Sequence, residues 1–169
     1  MKEVYWLVDG VIGGRCGPAV FPWDPRELYA GGVRAIVSLD PEGVDEDELR
    51  AAGIEHLPLY QPMILLLDEA ERREFLRCLP PVLRFVDRMR ARQAPVVLHC
   101  YYGCDRTGAL LACYLMAREG ATAEEAIRRV RRARPGAMSA LGYVEAVTLF
   151  EKIKHELDVP GPAGAHSGL

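Results

Sequence analysis

The sequence predicts an α/β domain in which helices flank a central, mostly parallel sheet. Short apolar runs alternate with helical stretches along the chain, and a compact strand is followed by a tight turn and a strongly helical stretch between residues 95 and 119. Such alternation is typical of parallel sheets covered by helices. The 169 residues, half of them apolar and 27% charged, suit one folded domain and exclude a disordered or membrane-spanning chain.

The first half of the chain is predicted to alternate strands with two short helices. Apolar runs at 4–8, 11–13, 35–39 and 54–59 predict the strands. Asp24 and Pro25 start a helix that reaches Tyr29, and residues 45–52 form a second helix that ends at Gly53.

The second half is predicted to be mainly helical. Residues 68–92 form two helices that separate at Pro80-Pro81, since proline is tolerated in a first turn. A strand over 95–100 and a helix over 107–119 follow, then a helix from the capping box Thr122–Glu125 to Arg134, and a last helix over 141–157. We expect one domain over 1–158 and a disordered tail over 159–169.

Charge and cysteine content restrict the partners and the compartment. Lysine plus arginine (21) against aspartate plus glutamate (24) gives a net charge of −3, so we expect no nucleic-acid binding. Five cysteines without regular spacing, and an N-terminus unlike a secretory signal, favour a reducing cytoplasm. The longest apolar run has five residues, so we expect no membrane span, and we expect a monomer.

The most informative segment is His-Cys-Tyr-Tyr-Gly-Cys-Asp-Arg-Thr-Gly at 99–108, between the predicted strand and helix. A helix N-terminus carries unpaired backbone N–H groups and about half a positive charge, so it binds anions. The five residues between Cys100 and Arg106 can wrap around a phosphate, and Gly103 supplies the backbone freedom. Arg106, in the first helical turn, can hold two phosphate oxygens with its planar guanidinium.

Cys100 ends the strand at the base of this loop, where the helix dipole and the N–H donors favour its thiolate. We therefore expect a nucleophile at neutral pH. Thr107 can place its hydroxyl near the thiolate and stabilise it as a leaving group. His99 points to the other side of the strand, so we expect it to fix the loop by hydrogen bonds rather than act as a base.

This segment resembles the signature of the cysteine-dependent protein tyrosine phosphatase superfamily, which is His-Cys, five residues, Arg, Ser or Thr, and Gly. Every fixed position is present. The similarity to small, compact dual-specificity phosphatases covers about residues 3–155 and includes these further segments: Tyr5-Trp6, Ile12-Gly13-Gly14, Gly32-Val33, Ala112-Cys113-Tyr114-Leu115 and Arg134-Pro135-Gly136-Ala137.

The resemblance implies a dual-specificity phosphatase-like fold and a phosphatase that works through a phosphocysteine intermediate, without metal or cofactor. Cys100 would be the nucleophile, Arg106 the phosphate clamp and Thr107 the thiolate helper. The loop that holds phosphate or sulfate would consist of Tyr101, Tyr102, Gly103, Cys104, Asp105 and Arg106. The substrate would be phosphotyrosine or a mixed phosphoprotein, with a phosphoinositide or another small phosphate ester as the alternative.

Three other interpretations fit parts of this segment. Cys100, Cys104 and His99 could suggest zinc, but a zinc site wants four ligands and no second pair of short spacing exists. A rhodanese-like sulfur carrier and a noncatalytic phosphate-binding pseudophosphatase stay open.

The general acid is the weak point of the resemblance. Where the family pattern places aspartate, this chain has Gln61, which cannot usefully donate a proton at neutral pH. Asp68 lies 32 residues before Cys100, a spacing the family often shows, but it also suits a helix N-cap. Asp105 lies inside the loop, and its Asp-Arg-Thr triplet resembles lipid phosphatases of the myotubularin and Sac types. Other nearby acids, or none, are the remaining options.

Four further features carry an expectation. The run Met63–Leu67 could form an apolar rim for substrate, although packing onto the core is favoured. The cations at 128, 129, 131, 132 and 134 are expected to be a solvated helix surface rather than a docking site. Cys104 could form a protective disulfide with Cys100 if the loop geometry permits it. Ser139 and Tyr143 lie where family members often have a water-positioning glutamine.

Overall fold

A computed structural model describes residues 1 and 3–161, and most of the predicted tail, 162–169, lies outside that part. The elements in chain order are β1 (Tyr5–Val8), β2 (Ile12–Cys16), α1 (Pro25–Ala30), β3 (Ala35–Ser38), α2 (Glu46–Ala51), β4 (Glu55–Pro58), α3 (Glu69–Leu76), α4 (Leu79–Ala91), β5 (Val96–Cys100), α5 (Asp105–Glu119), α6 (Ala123–Ala133) and α7 (Tyr143–Ile153). None of the described helices is both long and apolar enough to cross a membrane.

The five strands found in the described residues form one sheet in the order β1-β2-β5-β3-β4. Only the edge pair β1 and β2 is antiparallel; β2, β5, β3 and β4 run parallel. The predicted α/β class and the mostly parallel sheet are therefore confirmed. β5 lies at the centre, and the carboxyl ends of its neighbours meet at the edge where Cys100 stands, the usual position of ligands in open α/β sheets.

Helices cover both faces of the sheet because the parallel strands are apolar on both sides. On one face, Leu28 of α1 and Leu49 of α2 pack with Ile36 and Val97 in a small cluster. On the other face, the larger cluster contains residues from α3 to α7. The first part of α5, from Arg106 to Met116, is buried throughout, so this helix is fixed in the core and its N-terminus points at the end of β5.

Some predicted boundaries differ from the observed ones. β2 continues to Cys16, beyond the predicted end at Gly13, because Arg15 and Cys16 pair with His99 and Cys100 of β5. The break before α4 comes at residues 77–78, so that Pro80 lies inside the first turn. α5 starts at Asp105, two residues earlier than predicted, and α7 ends at Ile153.

Candidate active site

Cys100 is the last residue of β5 and is only 2% exposed. Its strand is paired with β2 on one side and with β3 on the other, so the position of the thiol is set by backbone hydrogen bonds in both directions. Residues 101–104 then turn the chain into α5, which starts at Asp105. The strand, turn and helix predicted around residue 100 are present, and the helix N-terminus faces the thiol-bearing strand end.

The turn is held from the side of β1 and β2. Gly103 has φ +68°, and a Cβ there would collide with the backbone of Arg15, so the close approach requires glycine. The Tyr5 hydroxyl donates to the Gly103 carbonyl oxygen at 2.7 Å, and burial raises the pKa of Tyr5, which keeps the hydroxyl protonated. The Gly17 N–H donates to the Tyr101 carbonyl oxygen at 2.8 Å.

The turn is held from the opposite side by the segment that follows α6. Arg134 Nη2 donates to the Tyr102 carbonyl oxygen at 3.0 Å, and the Met138 N–H donates to the Cys104 carbonyl oxygen at 3.2 Å. Arg131 donates to the carbonyl oxygens of Ala137 and Met138. The prediction of a solvated arginine surface is confirmed for Arg131, which is exposed. It is wrong for Arg134, whose side chain is only 29% exposed and holds the turn through the Tyr102 carbonyl oxygen.

Arg106 is buried in the first turn of α5, where its guanidinium reaches across to β3 and the loop after β4. Its Nη1 donates to Asp40 Oδ2 at 3.0 Å, to the Gln61 carbonyl oxygen at 2.8 Å and to the Leu39 carbonyl oxygen at 3.3 Å. All three bonds use Nη1, which leaves Nε and Nη2 for an anion. The neighbouring Thr107 is fully buried, and its hydroxyl has no hydrogen-bond partner among the described residues.

His99 takes part in a buried hydrogen-bonded chain rather than in the pocket. Its Nδ1 lies 3.3 Å from the Cys100 carbonyl oxygen, and its Nε2 lies 2.7 Å from Ser38 Oγ. Ser38 Oγ also lies 2.8 Å from His56 Nε2. Burial lowers the pKa of His99 to about 4, so its ring is neutral, and Nδ1–H donates to the carbonyl oxygen while Nε2 accepts from Ser38. The expectation that His99 fixes the loop is confirmed.

The residues of the turn and of two distant loops enclose a pocket of about 150 Å³. Cys100 and Arg106 lie in its lining together with Asp105 and Tyr102. Tyr143 lines it from the start of α7; burial raises its pKa to about 12, and its hydroxyl donates to the Ile64 carbonyl oxygen at 2.7 Å. The pocket therefore combines a thiol, a guanidinium and a carboxylate at one helix N-terminus.

The candidate acids occupy different places. Asp105 lines the pocket, and its Oδ1 accepts from the Ala140 N–H at 3.0 Å. Asp68 caps α3 by accepting from the Glu71 N–H at 2.8 Å and is not among the residues that line the pocket. Gln61 presents its backbone carbonyl to Arg106, while its side-chain amide donates to the Tyr60 carbonyl oxygen. The structure thus places Asp105, but not Asp68, in the lining of the pocket that contains Cys100.

The favoured interpretation, that the apolar run 63–67 packs onto the core, does not describe the whole run. Leu66 is buried, as packing onto the core predicts, but Met63, Ile64 and Leu65 are exposed and line the pocket. The favoured interpretation is therefore wrong for these three residues, and the alternative, an apolar rim, describes them. The reason is that Leu66 alone points inward, where its N–H donates to the Leu141 carbonyl oxygen at 3.1 Å.

Cys104 has a hydrogen bond of its own: its Sγ donates to the Tyr102 carbonyl oxygen at 3.5 Å. All five cysteines are free thiols in the structure. A disulfide between Cys104 and Cys100 stays a prediction.

Two functional contacts were missed by sequence reasoning, namely those of Asp40 and Tyr5. Asp40 follows β3, and a polar residue at the carboxyl end of a parallel strand was the available signal. Tyr5 lies in a strand whose apolar pattern gives no sign that the hydroxyl reaches Gly103.

Comparisons with known proteins identify the family. The chain matches the family model described as the catalytic domain of dual specificity phosphatases over residues 49–153. It is 27% identical over 173 residues to the tyrosine-protein phosphatase cdc-14 of Caenorhabditis elegans, with 95% of this chain and 23% of that protein covered. It is 26% identical over 143 residues to dual specificity protein phosphatase 12 of Homo sapiens, with 84% and 40% covered.

Solved structures show the same fold. Tk-PTP in the active form has a TM-score of 0.70 at 24% identity, covering 92% of this chain and 99% of that chain. Human DUSP28 has a TM-score of 0.69 at 16% identity, covering 92% and 97%. The chain spans between about a quarter and two fifths of the length of the two curated relatives above.

The family match extends over more than half of the chain and includes the whole turn at 101–104. The chain belongs to the dual specificity phosphatase family.

Proposed function

We propose that this domain is a cysteine-dependent phosphatase that hydrolyses phosphate monoesters through a phosphocysteine intermediate. The observation that carries the proposal is that Cys100 and Arg106 line one pocket at the N-terminus of a 15-residue helix. A helix of this length presents a full set of unpaired N–H groups and a positive dipole end to a bound phosphate. Membership of the family supports the same activity.

In the first step, the Cys100 thiolate attacks phosphorus in line with the ester oxygen. The S–P bond forms as the P–O bond to the alcohol breaks, and the charge on the three remaining oxygens is stabilised by Arg106 and the turn N–H groups. The alcohol leaves with a proton from the general acid. Asp105 is proposed for this role because it is the one carboxylate among the described residues that line the pocket.

In the second step, a water molecule attacks the phosphocysteine and the S–P bond breaks, which returns the thiolate and releases phosphate. Asp105, now ionised, takes a proton from the water. Thr107 is proposed to donate its unpartnered hydroxyl to the departing thiolate, since a buried hydroxyl without a partner carries an unmet hydrogen bond. Both steps use groups of this chain only.

The proposed substrates are phosphotyrosine or mixed phosphoproteins. The names of the curated relatives, a tyrosine-protein phosphatase and a dual specificity protein phosphatase, support this class. The five free thiols are consistent with a reducing compartment, so a cytoplasmic location is proposed, and the domain is proposed to act as a monomer.

The intermediate can be tested by acid quench. The wild-type protein is mixed with excess p-nitrophenyl phosphate, quenched within one turnover, and mapped by peptide mass spectrometry. We expect phosphate on the peptide that contains Cys100, and none with Cys100→Ser. Cys113→Ala is the matched control, because it removes a buried thiol from α5 and leaves the pocket thiol in place. Turnover without any phosphorylated cysteine would contradict the proposal.

A further inference from the structure

The pocket is bordered by an unusual amount of exposed apolar surface. We define the apolar rim as Met63, Ile64, Leu65 and Tyr102, which line the pocket and are 62%, 47%, 50% and 55% exposed. Seven of the eleven large apolar side chains that are exposed in the described part lie in the segment 60–67, in the turn or at Leu141. Four of these seven side chains line the pocket itself, and exposed apolar surface of this kind marks binding sites.

The backbone of the rim segment is fixed, so its exposure does not come from a loose loop. The Leu66 N–H donates to the Leu141 carbonyl oxygen at 3.1 Å, and the Tyr143 hydroxyl donates to the Ile64 carbonyl oxygen at 2.7 Å. Gly142 has φ +97°, and a Cβ there would collide with Leu66. The backbone that carries the apolar side chains is therefore fixed beside the pocket before any ligand binds, which lowers the ordering cost of binding.

The charges of the pocket suit one phosphate and no more. Asp105 and Arg106 are the only charged residues among the described ones that line it. Arg106 is buried and partly neutralised by Asp40, so the described lining of the pocket has no second cation to balance a second phosphate group. The lining therefore best suits a ligand that carries a single phosphate on an uncharged, apolar body.

Acidic residues follow the rim segment directly in the chain, at Asp68, Glu69 and Glu71. Loops that insert into anionic membranes are accompanied by cations instead. Of the nearest cations, Arg73 is paired with Glu69 and Glu156, and Arg72 donates to the carbonyl oxygens of Leu66 and Leu67. The charge pattern therefore favours a peptide over a lipid surface.

We infer that the apolar rim binds the apolar side chains that flank a phosphorylated tyrosine, and that it selects such segments over polar ones. This inference rests on the proposed phosphatase function. It adds the surface of the protein that selects the substrate. In this binding mode the tyrosine ring occupies the pocket that Tyr102 and Ile64 line, and the neighbouring side chains cover Met63 and Leu65. All four rim residues combine exposure with a position on the pocket wall, and Met63 and Ile64 are taken as the specificity-determining pair to be tested.

Two peptides with the same leaving group test the inference, Gly-Leu-phosphotyrosine-Leu-Gly and Gly-Ser-phosphotyrosine-Ser-Gly. We expect the KM of the leucine peptide to be roughly tenfold lower, the change that about 1.4 kcal/mol of apolar burial gives, with kcat similar for both. The double variant Met63→Ser with Ile64→Ser should remove the difference. Leu67→Ser is the matched control, because Leu67 is 62% exposed but does not line the pocket, and it should keep the difference.

Equal KM values for the two peptides in the wild type, or a ratio that survives the double variant, would overturn the inference. Calorimetric binding of the same peptides to Cys100→Ser gives the ratio without turnover, so the inference is tested even if the proposed activity fails. Binding of the wild type to vesicles of phosphatidylglycerol and phosphatidylcholine that the double variant abolishes, with no preference between the peptides, would replace the peptide by a membrane and overturn the inference.

Discussion

Arg106 and Asp40 form a largely buried ion pair, with Arg106 Nη1 3.0 Å from Asp40 Oδ2. The two residues are 66 positions apart and meet because β3 and β5 are neighbours in the sheet. The pair holds one nitrogen of the guanidinium against the end of β3, which leaves the remaining nitrogens for a phosphate. Asp40 is therefore a positioning residue for the proposed phosphate clamp.

Replacing Asp40 by asparagine should lower kcat/KM for p-nitrophenyl phosphate by about tenfold to a hundredfold, because the guanidinium loses its ionic partner and its fixed orientation. The affinity for inorganic phosphate, measured as competitive inhibition, should fall in parallel. Asp87→Asn is the control: it breaks the similarly buried pair with Arg118 at 2.7 Å, away from the pocket, and should leave kcat/KM unchanged. Equal losses in both variants would point to stability rather than positioning.

Replacing each of the two candidate acids by asparagine separates a role in catalysis from a role in helix capping. Asp105→Asn should lower kcat for an alkyl phosphate by about 10² to 10³, because a poor leaving group needs a proton, and should affect p-nitrophenyl phosphate much less. Asp68→Asn should leave both rates near the wild-type values, and because asparagine is also a good N-cap, it should change stability little. The pH–rate profiles of the wild type and the two variants, measured with both substrates, check these expectations. A loss of alkyl phosphatase activity in the Asp68 variant alone would transfer the role to Asp68.

We expect the buried hydroxyl of Thr107 to speed the second step of the reaction, the hydrolysis of the phosphocysteine. Thr107→Val keeps the shape but removes the hydroxyl, so hydrolysis of the phosphocysteine should slow by about tenfold while its formation is little changed. Rapid-quench kinetics with p-nitrophenyl phosphate should then show a burst of one nitrophenol per enzyme before a slow steady state. Thr107→Ser should restore the wild-type rate. A uniform slowing without a burst would assign Thr107 a packing role instead.

His99 should make the protein less stable in acid. The pKa of His99 is about 4 in the folded protein, whereas the ordinary value for histidine is 6.5. Between pH 4 and pH 6.5, therefore, His99 binds a proton in the unfolded chain but not in the folded protein. Stability is therefore complete above pH 6.5 and falls towards pH 4, by an amount on the order of 3 kcal/mol from this residue.

Denaturant unfolding across this pH range measures the effect. His99→Asn should be less stable at neutral pH but should lose less stability on acidification than the wild type. His155→Asn, at a side chain that is 74% exposed, should follow the wild-type curve. A wild-type pH slope retained in the His99 variant would show that other groups titrate.

The structural features that the sequence predicted well are those that depend on residues close together in the chain. The thiol, the turn glycine and the guanidinium lie within seven consecutive residues, Cys100 to Arg106, and the helix that follows has a strong pattern. The capping box is likewise local, and Thr122 Oγ1 does accept from the Glu125 N–H. The order of the strands and the antiparallel edge pair depend on which strands hydrogen-bond to each other. The residue pattern of a single segment does not contain that information.

The parts that sequence reasoning missed are brought together by tertiary structure. Asp40 reaches Arg106 only because β3 lies next to β5, and Tyr5 reaches Gly103 over a separation of 98 residues. The rim was misjudged because five consecutive apolar residues give no indication of which one faces inward. The contact that decides it, between Leu66 and the segment before α7, is distant in sequence.

The measurement that tests the central claim most directly is hydrolysis of p-nitrophenyl phosphate by the purified, fully reduced wild-type protein without added metal, with Cys100→Ser as the blank. This leaving group hardly needs an acid, so the identity of the general acid does not affect the outcome. The account predicts steady turnover that the substitution abolishes while phosphate binding persists. Absence of turnover in the wild type across the range from mildly acidic to mildly alkaline pH, or equal turnover by Cys100→Ser, would contradict it.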